Sequence, residues 1–248
     1  MENLYIIIPA YNEEENIEAV AREWHEVAAS VGGGSKLVII DDGSRDNTYR
    51  KLCELKETLP YLEPITKKNS GHGATVLFGY KYALENKASY IFQTDSDGQT
   101  LPSEFWPFWE QRTSYCAVIG HRNQRQDGFS RVFVTKTLKL VLKLIFGLSI
   151  TDANTPFRLI SADTLERHIN RIPKDFNLSN VMLTVSLIEA NENVKFIPIT
   201  FKPRQGGVNS INLKKIMKIG RQAVKDFRQI KKQMKRPISQ ENYKDMQS

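Results

Sequence analysis

Asp95 and Asp97 have the types and spacing to do chemistry. The run Tyr90-Ile91-Phe92-Gln93-Thr94 is β-prone and ends in two carboxylates spaced i and i+2, followed by Gly98 and Gln99. A buried strand has no structural use for two acids at its carboxyl end, whereas in an open α/β sheet that end is where ligands bind. Paired hard oxygen donors suit Mg²⁺ or Mn²⁺, which bind one or two carboxylates and complete their shells with water and phosphate oxygens. Taken alone, the Asp-Gly step is equally a turn.

The surrounding pattern decides between these readings. Leu4–Ile8 reads as a strand, broken by Pro9-Ala10-Tyr11-Asn12-Glu13-Glu14-Glu15 into a helix with acids in its first turn. Lys36–Ile40 reads as a second strand running into Asp41-Asp42-Gly43-Ser44, and Asp46 or Asn47 caps the next helix. Leu62–Thr66 and Ser89–Thr94 are further strands, with a helix from Ala74 to Glu85 between them. Strands alternating with helices predict right-handed βαβ units and a mostly parallel sheet. Parallel topology gathers Tyr11, Asn12, Glu13, Asp41, Asp42, Asp95, Asp97 and Gln99 at one edge. Their repulsion calls for a cation or donors to offset it. So acidic a crevice suits a metal-bound diphosphate rather than a bare phosphate.

The second half is less regular. Cys116–Gly120 and Phe157–Ile160 read as strands, with the polar loop His121 to Ser130 and a Val132–Leu148 helix between them. Helices over Ala162–Ile169 and Asn177–Ala190, a strand over Val194–Pro198 and a long helix from Leu213 to Lys235 follow. In the helix after the polar loop, Lys136, Lys139 and Lys143 fall on one side of an otherwise apolar segment.

With 248 residues, 40% hydrophobic and 25% charged, the chain can bury one substantial core. Cys53 and Cys116 make neither a disulfide framework nor metal-ligand spacing. The first apolar run is too short for a signal peptide, and no stretch is long enough to span a bilayer, so a cytoplasmic location is predicted. The net charge of +7 is local: from Lys202 to Arg236 twelve Lys and Arg stand against one acid, Asp226. There Leu213, Ile216, Met217, Gly220, Val224 and Phe227 step by three or four, with lysines and arginines on another face. Such a basic amphipathic helix can lie on an anionic membrane surface, pack on its own domain or pair two copies as a homo-oligomer. Nucleic acid is not expected, because no aromatic platform accompanies the charge.

Together, Pro9-Ala10-Tyr11-Asn12-Glu13-Glu14, Asp41-Asp42-Gly43-Ser44 and Asp95-Ser96-Asp97-Gly98-Gln99 resemble the family 2 glycosyltransferases. The resemblance is greatest to the dolichol-phosphate mannosyltransferase and polyprenyl-phosphate sugar transferase branch. It implies an α/β GT-A (Rossmann-like) catalytic domain over residues 1–205, which leaves 206–248 as the basic amphipathic helix read from its own spacing and a polar tail. It further implies inverting transfer from GDP-mannose or a UDP-hexose, with Mn²⁺ or Mg²⁺, to a polyprenyl or dolichyl phosphate at the inner membrane face. The alternatives are transfer to a hydroxyl of a glycan or lipid-linked oligosaccharide, and a non-catalytic sugar-nucleotide-binding module.

Carried onto these residues, the resemblance places Pro9, Tyr11 and Glu13 in the nucleoside pocket, with Asp42 on the base or ribose and Ile40 beside it. Asp95 and Asp97 would hold the metal, with Ser96 in the donor site and Gln99 supporting the metal or diphosphate. Arg204 would clamp the diphosphate. Arg122, with Arg125 and Arg131, would face the acceptor phosphate. Thr151-Asp152-Ala153-Asn154-Thr155-Pro156-Phe157-Arg158 resembles the family's Asp-x-x-Ser-Gly-Phe-Arg, with Pro156 replacing glycine. A lipid phosphate is already an anion and needs no strong base, whereas a hydroxyl acceptor would make Asp152 the base. His72 stands where the family usually has lysine.

Overall fold

The structure, a computed structural model, describes residues 2–122, 129–173, 176–202, 222, 224–228 and 231–232, with 129–135 as backbone only. The chain divides into two compact units, Met1–Gln126 with Thr151–Val208 and Asp127–Ile150 with Asn209–Ser248.

The first unit is built on a seven-stranded sheet: β1 (Leu4–Ala10), β2 (Lys36–Asp41), β3 (Leu62–Thr66), β4 (Tyr90–Gln93), β5 (Ala117–Arg122), β6 (Arg158–Ser161) and β7 (Val194–Ile199). Its order is β3-β2-β1-β4-β6-β5-β7. Every pairing is parallel except those of β6, which runs antiparallel to both β4 and β5. β1 is buried along its whole length, as expected of a parallel strand covered on both faces.

On one face α1 (Ile17–Val31) lays Trp24 5.3 Å from Phe92, which meets Phe157 edge-on at 4.7 Å. α2 (Thr48–Lys56) and the short α4 (Trp106–Glu110) complete this layer, where Leu52 and Phe108 are fully buried. α3 (His72–Glu85), α6 (Ala162–Ile169) and α7 (Ser179–Glu189) are mutual neighbours, and α3 also packs on β1, β2 and β4. α3 begins two residues before the predicted start because Asp42 accepts hydrogen bonds from the Ser70 and Gly71 N–H groups and fixes the approach to the helix.

In the second unit α5 (Phe129–Phe146) takes the place of the predicted Val132–Leu148 helix. Phe227 is fully buried, 6.1 Å from the Phe146 ring, and Lys231 donates to the Ile145 carbonyl. Most of the predicted Leu213–Lys235 helix lies outside the described residues. Among the described residues no helix is long and apolar enough to cross a membrane.

Candidate active site

A cleft of about 360 Å³ opens at the carboxyl ends of β1, β2 and β4. Of the residues expected there, Pro9, Tyr11, Glu13, Asp42, Asp95, Ser96 and Asp97 line it. The loops after β1 and β2 are laced together: Asn12 N–H donates to Ser44 Oγ at 2.9 Å, and Arg45 N–H returns to Asn12 Oδ1 at 2.9 Å. Glu13 N–H donates to Thr48 Oγ1 at 2.9 Å. These bonds hold Tyr11 at the mouth of the cleft, where it is 42% exposed.

The two adjacent acids after β2 do different work. Asp41 is turned inward and accepts from Thr66 Oγ1 at 2.7 Å and from Ser44 N–H at 3.1 Å. Asp42 faces the cleft and binds Lys67 Nζ together with the Ser70 and Gly71 N–H groups, at 2.9 and 2.8 Å. Burial alone would raise its pKa. The hydrogen bonds from Lys67, Ser70, Gly71 and Thr75 outweigh that and hold the carboxyl below its ordinary value.

Asp95 Oδ1 lies 3.0 Å from His72 Nε2, at the start of α3. Burial disfavours protonated His72, but the charges of Asp95, Asp97 and Asp42 and the Asp95 hydrogen bond raise its pKa above the ordinary value. Asp97 Oδ1 accepts from Gln99 N–H at 3.2 Å across the turn that Gly98 makes with φ of 68°. Among the described residues no group of three or more His, Cys, Asp or Glu forms an all-protein metal cage. Asp95 and Asp97 are the two carboxylates there that could hold a hard cation, whose remaining ligands would be water and substrate oxygens.

Two expected positions have other surroundings. Ile40 is fully buried and sits against Gly79 of α3, so it belongs to the core rather than to the cleft. Gln99 is buried, and its side-chain amide donates to the Lys202 carbonyl at 2.7 Å, while Lys202 N–H returns to the Gln99 carbonyl at 2.8 Å. It ties the segment after β7 to the loop after β4.

Farther along the same edge, Arg122 at the end of β5 meets Asp152. Nε donates to Oδ2 at 2.7 Å and Nη2 to Oδ1 at 2.9 Å, with both side chains largely buried. The guanidinium also lies over Phe201, 5.2 Å from the ring centroid. Arg125 and Arg204 lie outside the described residues, and Arg131 is described only as backbone within α5.

The structure adds Asn69, Gly71 and Thr75 to the cleft, and Lys67 beneath it. Their signal in the sequence was indirect. A buried acid such as Asp42 demands donors, and the polar, glycine-containing loop into α3 is the neighbouring supply.

A mostly parallel seven-stranded sheet flanked by helices is a GT-A-like fold, shared with solved structures. The chain belongs to glycosyl transferase family 2, whose profile matches residues 5–172. It is 26% identical over 216 residues to the polyprenol monophosphomannose synthase of Mycolicibacterium smegmatis, covering 84% of this chain and 80% of that one. It is 28% identical over 185 residues to the UDP-N-acetylglucosamine--dolichyl-phosphate N-acetylglucosaminyltransferase of Methanococcus voltae, covering 66% of this chain and 71% of that one. The fold is shared with glucosyl-3-phosphoglycerate synthase from Mycobacterium tuberculosis in complex with Mn²⁺, uridine-diphosphate and glucosyl-3-phosphoglycerate. That likeness has a TM-score of 0.64 at 16% identity and covers 90% of this chain and 77% of the other.

Proposed function

We propose that this glycosyltransferase moves a sugar from a nucleotide-diphosphate donor to a polyprenyl-type phosphate at a membrane surface. The observation that carries the acceptor is the Arg122–Asp152 pair. Both carboxylate oxygens of Asp152 are engaged by one guanidinium, so service as a general base would first require breaking a bidentate, largely buried pair. An acceptor that is already an anion needs no such base. The two curated relatives, named for polyprenol and dolichyl-phosphate substrates, support the same reading.

On the donor side, Tyr11 offers a ring face to the nucleoside, and Pro9 and Glu13 line the cleft beside it. Asp95 and Asp97 would hold Mn²⁺ or Mg²⁺, and a structural neighbour crystallised with Mn²⁺ and uridine-diphosphate supports that assignment. When bound, such an ion neutralises negative charge growing on the leaving diphosphate. Arg204 is assigned to the same diphosphate from its place in the sequence. Arg122 orients the acceptor phosphate, with Asp152 holding its planar fork in one orientation.

Membrane association is proposed to be peripheral. α5 exposes Leu140 and Leu144, at 57% and 75%, beside exposed Lys136, Lys139 and Lys143. Apolar side chains next to cationic heads suit an anionic lipid surface.

The test pairs donor screening with acceptor choice. A UDP- or GDP-sugar with Mn²⁺ raises the melting temperature by mass action. Transfer of its labelled sugar is then measured to polyprenyl phosphate and to polyprenol. The expected result is transfer to the phosphate alone, with Asp152→Asn lowering it about tenfold, or about 1.4 kcal/mol. Transfer to a hydroxyl that Asp152→Asn abolishes would overturn the acceptor assignment.

A further inference from the structure

Arg158 is the first residue of β6 and has no solvent exposure. A guanidinium carries five N–H donors. Here Nε donates to Thr155 O at 3.0 Å, and Nη1 to Asn180 O at 3.1 Å and Thr184 Oγ1 at 3.3 Å. Nη2 donates to Ala153 O at 3.3 Å and Thr155 O at 2.6 Å. Every donor is engaged, and every acceptor is an uncharged oxygen. No donor is left for substrate, so the side chain is built to hold protein.

What it holds is the short loop between Asp152 and β6, gripped at two carbonyls and fastened to α7 through Asn180 and Thr184. Thr184 Oγ1 lies 3.0 Å from Ala153 O and 2.8 Å from Asn180 O, so its single proton is shared between the loop and its own helix. Asp152 is the residue immediately before this clamped loop, and it sets the Arg122 fork. As packing alone, the position would be filled at lower cost by an apolar side chain, because a buried cation must be desolvated. Burial does pull the Arg158 pKa below its ordinary value, opposed by Tyr80, Asp152 and Asp95.

We propose that Arg158 is a positioning residue for transfer: it fixes the Ala153–Thr155 backbone so that Asp152 holds Arg122 where the acceptor phosphate docks. The proposal rests on the acceptor side assigned above, and it names a residue that acts without touching either substrate.

Arg158→Lys keeps the charge but offers three donors in place of the planar five. Expected is a rise of about tenfold in the acceptor KM, with the donor KM and donor-induced thermal shift changed less than about twofold. In an Asp152→Asn background the same substitution has little further effect, because its route to Arg122 is already cut. Equal losses for donor and acceptor, or additive losses in the double variant, overturn the proposal. If Arg158→Lys does not fold, Thr184→Val removes one acceptor of Arg158 and the second hold on Ala153 O. It should raise the acceptor KM about threefold with the donor KM unchanged, and an unchanged acceptor KM overturns the proposal. If the wild-type enzyme uses an acceptor other than polyprenyl phosphate, the same KM split is measured with that acceptor. The acceptor reading then falls while the positioning role stands or falls on its own data.

Discussion

Asp95 and Asp97 leave one strand end but meet different neighbours. Asp95 reaches across to His72 on α3, whereas Asp97 is held within its own turn by the Gln99 N–H. Replacing Asp97 with Asn keeps the volume and removes the charge. Turnover with a nucleotide-sugar and Mn²⁺ should fall at least about a hundredfold, or about 2.7 kcal/mol. The melting temperature without ligand should move by less than about 2 °C. Steady-state rates over a Mn²⁺ titration check this, and undiminished turnover removes Asp97 from the metal site. At this scale the acids were legible because carboxylates at the ends of apolar strands stand out against their surroundings. The Arg122–Asp152 pair was not. Its partners are separated in sequence by the whole of α5, and their meeting depends on β6 lying antiparallel beside β5. The packing of Ile40 against Gly79 was not legible either, since nothing local says which face of β2 meets α3.

The elements bring these residues together through close contacts that small residues permit. A Cβ on Gly73 would come within 2.2 Å of the Phe176 carbonyl and 2.8 Å of the Asn177 backbone. Gly73→Ala must therefore push the amino end of α3 away from that segment, at a cost of about 1–3 kcal/mol. For a chain of this size the melting temperature should drop by about 2–12 °C. Because His72 and Gly71 belong to the same turn, the donor-induced thermal shift should shrink as well. Thermal melts with and without nucleotide-sugar and Mn²⁺ check both. The alternation of strands and helices through β4 was readable from period and breaker residues, and the boundaries of α6 follow the sequence pattern residue for residue. The inversion of β6 was not readable, because a four-residue strand carries no mark of its direction.

Across the whole molecule, Asp42 links acid stability to the shape of the cleft. Its folded-state pKa is depressed, so the stability it contributes is complete above the ordinary carboxylate value and is lost as pH falls through the lower, folded value. Melting temperature measured downward from neutral pH should therefore fall on an acid limb, and Asp42→Asn should flatten that limb while lowering the neutral-pH plateau. A wild-type limb unchanged by the substitution would assign the acid sensitivity elsewhere. The inverted β6 has a consequence for how this fold can vary. β5 and β6 are adjacent antiparallel strands, joined by the Gly120 N–H to Phe157 carbonyl rung at 2.7 Å and bolted above it by Arg122 and Asp152. Topologically they form a hairpin whose turn has been exchanged for a long excursion containing α5. Such an excursion is a cassette with both feet planted side by side, so it can be lengthened, swapped or cut back without rethreading a single strand of the sheet.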